Sequence, residues 1–177
     1  MAESRGLRGS VLEEMINRSN EIYREKGLAL IQKVPTPITP INIDKNTRQI
    51  TLAYFDQKST VDYIGVIQGI PVCFDAKECH SDRFALQNLH EHQYCFMRDF
   101  ESQQGIAFIL LSFTNRDEMY YVPFQDIRRF YERAQSGGVK HIKYEEIDSS
   151  LRISRKGSVL VHYLEQLQKD LTRRESV

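Results

Sequence analysis

The chain has 177 residues, 41% of them hydrophobic and 27% charged, with 24 basic and 24 acidic side chains. That size and composition fit one globular domain with a substantial core. No apolar run reaches the ~20 residues that a membrane-spanning helix needs, and the charged N-terminus lacks a signal-peptide core. The three cysteines, Cys73, Cys79 and Cys95, fit a reducing compartment, the cytoplasm, better than a disulfide framework.

The zero net charge is unevenly spread. Residues 61–127 hold 4 basic against 10 acidic side chains, whereas residues 128–177 hold 11 against 7. The basic groups Arg128, Arg129, Arg133, Lys140, Lys143, Arg152, Arg155, Lys156, Arg173 and Arg174 could line a phosphate-binding surface. Solvated faces of ordinary elements are the plainer reading, and on charge alone the favoured one.

Leu12, Met15, Ile16, Ile22 and Tyr23 share one stripe and predict a helix over 10–26, capped by Ser10 and stopped by Gly27. Pro35, Pro37 and Pro40 then exclude helix. Residues 41–43 and 48–55 read as two strands around a turn at 44–47, so that 35–57 forms an arm projecting from the body. A hairpin over 61–78 turns at Gln68–Pro71, with Gly65 and Gly69 marking close approach or a tight turn. A polar loop leads to a helix over 86–104. The apolar run 106–113 predicts a central strand covered on both faces, with 119–122 as its neighbour. Pro123 opens a helix that Gly137 and Gly138 stop. A final helix carries Leu160, Tyr163, Leu164, Leu167 and Leu171. This order predicts a single α/β domain, 1–177, built around a mixed sheet.

The hairpin carries the chemistry. Alternation along a strand sends Asp75 and Lys77 to one face and Phe74 and Ala76 to the other. Pairing of the two strands brings Asp62 toward Asp75. Two carboxylates beside an ammonium suit a hard cation such as Mg2+, and the pattern Asp…Asp-x-Lys outlines a metal-dependent nuclease. A surface hairpin with solvated charges is the alternative, but the neighbours Ile70, Val72 and Phe74 argue for a partly buried site, where charges need partners. Gln93 falls on the apolar stripe of the 86–104 helix, four residues after Leu89 and four before Met97. A buried amide must be hydrogen-bonded or coordinated. It either bonds backbone within the core or turns its carbonyl to an ion or a ligated water. A rival zinc set, Cys79, His80, His90, His92 and Cys95, has no familiar spacing, and on a helix His90 and His92 would point about 200° apart.

At Thr60-x-Asp62, Asp75-Ala76-Lys77-Glu78 and Leu86-Gln87-Asn88-Leu89-His90-Glu91-His92-Gln93, the chain resembles the RecU-type Holliday junction resolvases. Arg8-Gly9-x-x-Leu12-Glu13 and Lys33-x-Pro35-Thr36-Pro37 extend the resemblance, which runs from about Arg8 to Leu167. It implies a restriction-endonuclease-like fold, a mixed β-sheet flanked by helices, with 35–57 as a β stalk that enters the junction centre. It further implies Asp62, Asp75, Gln93 and Thr60 as the Mg2+ site, with Mn2+ a substitute, and Lys77 as the catalytic lysine. Asp62, Asp75 and Thr60 would also take part in catalysis, Thr60 by positioning a ligand or the scissile phosphate. Glu13 would support the ligands from the first helix.

The implied reaction is in-line phosphodiester hydrolysis that nicks a four-way DNA junction twice. Twofold symmetry of the junction argues for a homodimer, with no membrane and no small-molecule cofactor involved. The chain departs from the family pattern in having Asp75 where Glu is usual, in a 79–85 loop that looks one residue shorter, and in its neutral charge. The alternatives are a nuclease of the same fold with another DNA substrate, a catalytically inactive junction-binding recombination accessory protein, and an interaction module without nucleic acid.

Overall fold

The computed structural model describes residues 11–55 and 60–176. In chain order the elements are α1 (Val11–Glu25), β1 (Ala29–Lys33), β2 (Ile38–Ile43), β3 (Ile50–Phe55), β4 (Tyr63–Ile67), β5 (Ile70–Cys79) and β6 (Arg83–Ala85). There follow α2 (Glu91–Ser102), β7 (Ile106–Phe113), β8 (Glu118–Pro123), α3 (Phe124–Gln135), β9 (His141–Lys143), β10 (Arg152–Ile153) and α4 (Leu164–Glu175). The central sheet runs β1-β4-β5-β7-β8-β10. Only β5 and β7 are parallel, and α2 makes the crossover between them. Every other neighbouring pair in this sheet is antiparallel.

Alternation on the two innermost strands divides the core in two. Val72, Phe74, Phe108 and Leu110 pack with α1 and α4, whereas Cys73, Ala107, Ile109 and Leu111 pack with α2 and α3. On the α1/α4 side, Tyr63, Phe74, Phe108 and Tyr121 stack across four consecutive strands. Successive centroids lie 4.7, 4.7 and 4.3 Å apart. Cross-strand aromatic pairs of this kind each add about 0.5–1.5 kcal/mol beyond area burial. They also fix register, and Tyr63 faces Phe74.

Two glycines serve the hairpin. Gln68 and Gly69 both have positive φ, as a two-residue β-hairpin turn with right-handed strand twist requires. At Gly65 a Cβ would lie 2.1 Å from the Leu30 carbonyl oxygen, so only glycine lets β1 approach β4.

β2 and β3 form a separate two-stranded ribbon with an irregular register around Pro40 and Asn42. Ile38, Ile41, Ile43, Ile50, Leu52, Tyr54 and Phe55 are all exposed on it. This ribbon falls within 35–57, the segment expected to form a stalk; positions 56 and 57 lie outside the described residues, as does the expected cap Ser10.

Several expected boundaries are corrected. The 86–104 helix begins at Glu91, because Leu86–Asn88 forms a single 3-10 turn and Gln93 closes a capping box on His90. The end of the expected polar loop is β6, which pairs with β9. Leu160 and Tyr163 precede the last helix, which starts at Leu164. Their helical spacing reflects packing against the α1/α4 core from an irregular segment. Six of the ten basic groups are ion-paired: Arg128 pairs with Glu132, Arg129 with Asp126, Arg133 with Glu146, Arg152 with Glu118 and Arg173 with Asp148. Arg174 pairs with both Glu101 and Asp170.

Candidate active site

Asp62 immediately precedes β4 and Asp75 lies inside β5. Since Tyr63 faces Phe74, the next residue outward on each strand is one of these aspartates. They lock each other through the backbone. The Asp62 N–H donates to Asp75 Oδ1 at 2.7 Å, and the Ala76 N–H donates to Asp62 Oδ2 at 2.9 Å. The Val34 N–H donates to the Asp62 carbonyl at 2.8 Å and ties β1 into the same arrangement.

Each carboxylate therefore has one oxygen anchored by a backbone N–H; of the other two, Asp62 Oδ1 accepts no hydrogen bond among the described residues and Asp75 Oδ2 is engaged by a lysine. Asp75 is fully buried, and its Oδ2 has the Lys77 ammonium at 2.9 Å. Lys77 Nζ also donates to Gln93 Oε1 at 3.1 Å. Gln93 is 7% exposed, as its place on the apolar stripe of α2 predicts.

Burial, and next the neighbouring Asp75 charge, raises the Asp62 carboxyl to about 6. Burial also raises Asp75, with Lys77 pulling the other way. Two carboxylates held together out of water disfavour their own ionisation. A cation between them removes that penalty, and hard oxygen donors select Mg2+ or a similar ion. Two carboxylates cross-anchored at neighbouring strand positions, one of them fully buried, are a donor set that fits such an ion.

The other expected residues stand further out. Glu13 on α1 forms an ion pair with Lys33 at the end of β1, and its charge is close enough to contribute to the rise of Asp62. Its main-chain carbonyl accepts from the Tyr63 hydroxyl at 3.4 Å. Thr60 is half-buried two residues before Asp62, and no hydrogen bond among the described residues joins its hydroxyl to the carboxylates or to Lys77.

Lys33 stood in the sequence only as part of the Lys33-x-Pro35-Thr36-Pro37 motif, with no expected place beside the site. Its signal was a cation at a strand end just ahead of a proline-rich segment. The zinc set does not assemble, since among the described residues no three His, Cys, Asp or Glu side chains gather as metal ligands. His90 stands before α2 as its cap rather than on it, so its ring stacks on His92 at 5.5 Å instead of pointing away. Cys79 bonds its sulfur to the Ser81 carbonyl.

The family model for Recombination protein U (RecU) matches residues 7–169. A protein of Geobacillus sp. (strain WCH70) named Holliday junction resolvase RecU is 42% identical over 147 residues, 81% of this chain and 73% of its own. The Levilactobacillus brevis protein of the same name is 38% identical over 172 residues, 94% of this chain and 86% of its own. That of Lactococcus lactis subsp. cremoris (strain MG1363) is 41% identical over 169 residues, 93% and 78%. Among solved structures, Archaeoglobus fulgidus Hjc, a Holliday junction resolvase, matches 63% of this chain and 74% of its own at 10% identity. Its TM-score of 0.35 is too low for the likeness to bear on fold or function. Family model and relatives agree over nearly the whole length: this chain belongs to the Recombination protein U (RecU) family.

Proposed function

We propose that this chain is a divalent-metal-dependent endonuclease that resolves four-way Holliday junctions in the cytoplasm, nicking two strands symmetrically as a homodimer. The observation that carries the reading is the pair of half-buried Asp62 and fully buried Asp75, cross-anchored by backbone N–H groups and flanked by Lys77. Asp62 Oδ1 and Asp75 Oδ2 would hold Mg2+, for which Mn2+ would substitute. When bound, the ion supplies a Lewis acid that offsets phosphate charge and makes water more acidic.

The protein's own groups do the rest. The backbone anchors fix both carboxylates before substrate arrives, so no reorganisation is needed at the moment of reaction. Lys77 has three N–H donors, and its contacts to Asp75 and Gln93 engage two of them. The third would stabilise charge building on the scissile phosphate or orient the attacking water. Thr60 would touch the phosphate or a ligand from the approach to β4, and Glu13 with Lys33 would hold α1 beside the site. The exposed apolar ribbon β2–β3 would enter the open centre of the junction. A twofold dimer would present two such sites in the relation that a twofold junction requires.

The test uses a synthetic four-way junction and matched linear duplex, each with Mg2+, with Ca2+ and with chelator. Mg2+-dependent paired nicking of the junction alone is the expected result. Equal cutting of linear duplex would leave a nuclease without junction selectivity. Asp75→Ala and Lys77→Ala should abolish cutting while leaving junction binding intact. Parent-like cutting by both variants would refute the catalytic assignment.

A further inference from the structure

β6 and β9 form a two-stranded ribbon whose inner face is sealed. Phe84 and Ile142 stand opposite each other and are buried in the core on the α2/α3 side. Alternation sends their neighbours to the outer face, where the register sets Arg83 directly opposite Lys143. Arg83 is exposed and Lys143 half-buried. Like charges directly opposite each other on paired strands repel and weaken the pairing.

No acid relieves this pair among the described residues. Asp82 is committed to Arg116 and Asn115, and Glu146 to Arg133 and the Lys143 main-chain N–H. Glu145, exposed on the 3-10 turn after β9, makes an ion pair with neither cation. A further unpaired cation, Lys140, stands one residue ahead of β9, where its carbonyl accepts from the Leu86 N–H at 3.1 Å. The ribbon is tied to the candidate active site through the chain. Six residues lead from Lys77 on β5 to Arg83 on β6, so their Cα atoms are at most about 22 Å apart. One DNA strand presents a phosphate every ~3.4 Å of duplex, so a nick beside Lys77 and a contact at Arg83 fall within about six nucleotides.

We propose that Arg83 and Lys143 form a phosphate clamp that holds one duplex arm of the junction beside the site. This rests on the junction-nuclease reading. A polyanion is the ligand that complements two cations kept in mutual repulsion: phosphates drawn to them offset the repulsion and release condensed counterions. Contacts of this kind set register and orientation on the duplex and carry no sequence information.

The test is four-way junction affinity from about 50 to 200 mM salt, with Ca2+ in place of Mg2+ so that binding is read apart from nicking. It compares parent, the double variant Arg83→Ala/Lys143→Ala, and a control of equal charge change on α4, Lys169→Ala/Arg173→Ala, whose cations are ion-paired with Glu165 and Asp148. Each lost phosphate contact should flatten the slope of log affinity against log salt by about 0.9. The clamp variant should therefore lose about 1.8 from its slope, and over this salt range the parent should lose about twelvefold more affinity than the variant. The α4 control should keep the parent slope. No change in the clamp variant, or an equal change in the control, would overturn the proposal.

Arg83→Glu reads the repulsion itself. It sets an acid opposite Lys143, so the urea midpoint at low salt should rise above the parent's while junction affinity falls. Misfolding cannot produce both. A midpoint at or below the parent's would overturn the proposal. A parent that binds the junction but makes no nick with Mg2+ would refute the nuclease reading, and the slopes would still decide the clamp. A parent that binds no DNA would overturn both.

Discussion

Removing the Lys77 charge while keeping its bulk, by Lys77→Met, exposes the electrostatics of the site most directly. Asp75 has no exposed surface, and the ammonium at 2.9 Å is the only cation paired with it among the described residues. Breaking a buried pair by deleting one partner costs about 3–5 kcal/mol. Protonation sets a ceiling: at pH 7.5, placing a proton on a carboxyl whose ordinary pKa is 3.8 costs about 5 kcal/mol. The parent already bears part of that burden, since burial raises Asp75 even with Lys77 present. The remaining loss is therefore about 3 kcal/mol, or about 6–12 °C in Tm for a chain of this length.

The loss must also depend on pH. Deleting the ammonium raises the native carboxyl further, so between its ordinary pKa and the new one the folded state holds a proton that the unfolded state has released. Stability falls as pH rises through that window. Thermal melts in chelator should show the full deficit at pH 7.5 and little of it near pH 4. Adding Asp75→Asn to Lys77→Met should recover much of the deficit, because the stranded charge is gone. Coincident melts of parent and Lys77→Met at pH 7.5 would falsify the claim that Asp75 is buried and depends on the lysine.

Other perturbations probe the same site and the elements around it. The raised Asp62 means that metal-free protein loses stability as pH climbs from 3.8 to about 6, by about 3 kcal/mol at most. Mg2+ should therefore raise Tm more at pH 7.5 than at pH 5, and an equal rise at both would contradict the shift. Gly65→Ala drives a Cβ into the Leu30 carbonyl at 2.1 Å and Ile31 Cα at 2.8 Å. It should cost about 1–3 kcal/mol in urea unfolding, and a midpoint within error of the parent would show that β1 yields freely. Phe55→Ser on the ribbon, where the side chain is 76% exposed, should leave urea unfolding within about 0.5 kcal/mol of the parent. The same change should weaken four-way junction binding in gel shifts, and undiminished affinity would remove the ribbon from the DNA interface.

The reach of the sequence differed by element. The hairpin was legible because period-2 alternation and the Gln68-Gly69 turn are local signals, and Asp75 and Lys77 do share a face. Gln93 stood out because a polar group on an apolar stripe needs a partner, but the identity of that partner depends on tertiary placement. The start of α2 was misplaced by five residues because Leu86 and Leu89 fit helical spacing while they serve a 3-10 turn. The short strands β6, β9 and β10, of two or three residues each, carry too few side chains to show a period. Clustering of arginines along the chain suggested a basic face, yet ion pairing with distant acids such as Glu146 and Glu118 is invisible in sequence.

The aromatic column from Tyr63 to Tyr121 has a bearing on when nuclease chemistry becomes possible during folding. A slip of one residue between β4 and β5 would move Phe74 off Tyr63 and send each side chain of the slipped strand to the opposite face. The two acids could then never meet. A half-built sheet would consequently lack the proposed cutting centre, which a nascent chain would acquire only once distant segments have zipped into their final alignment.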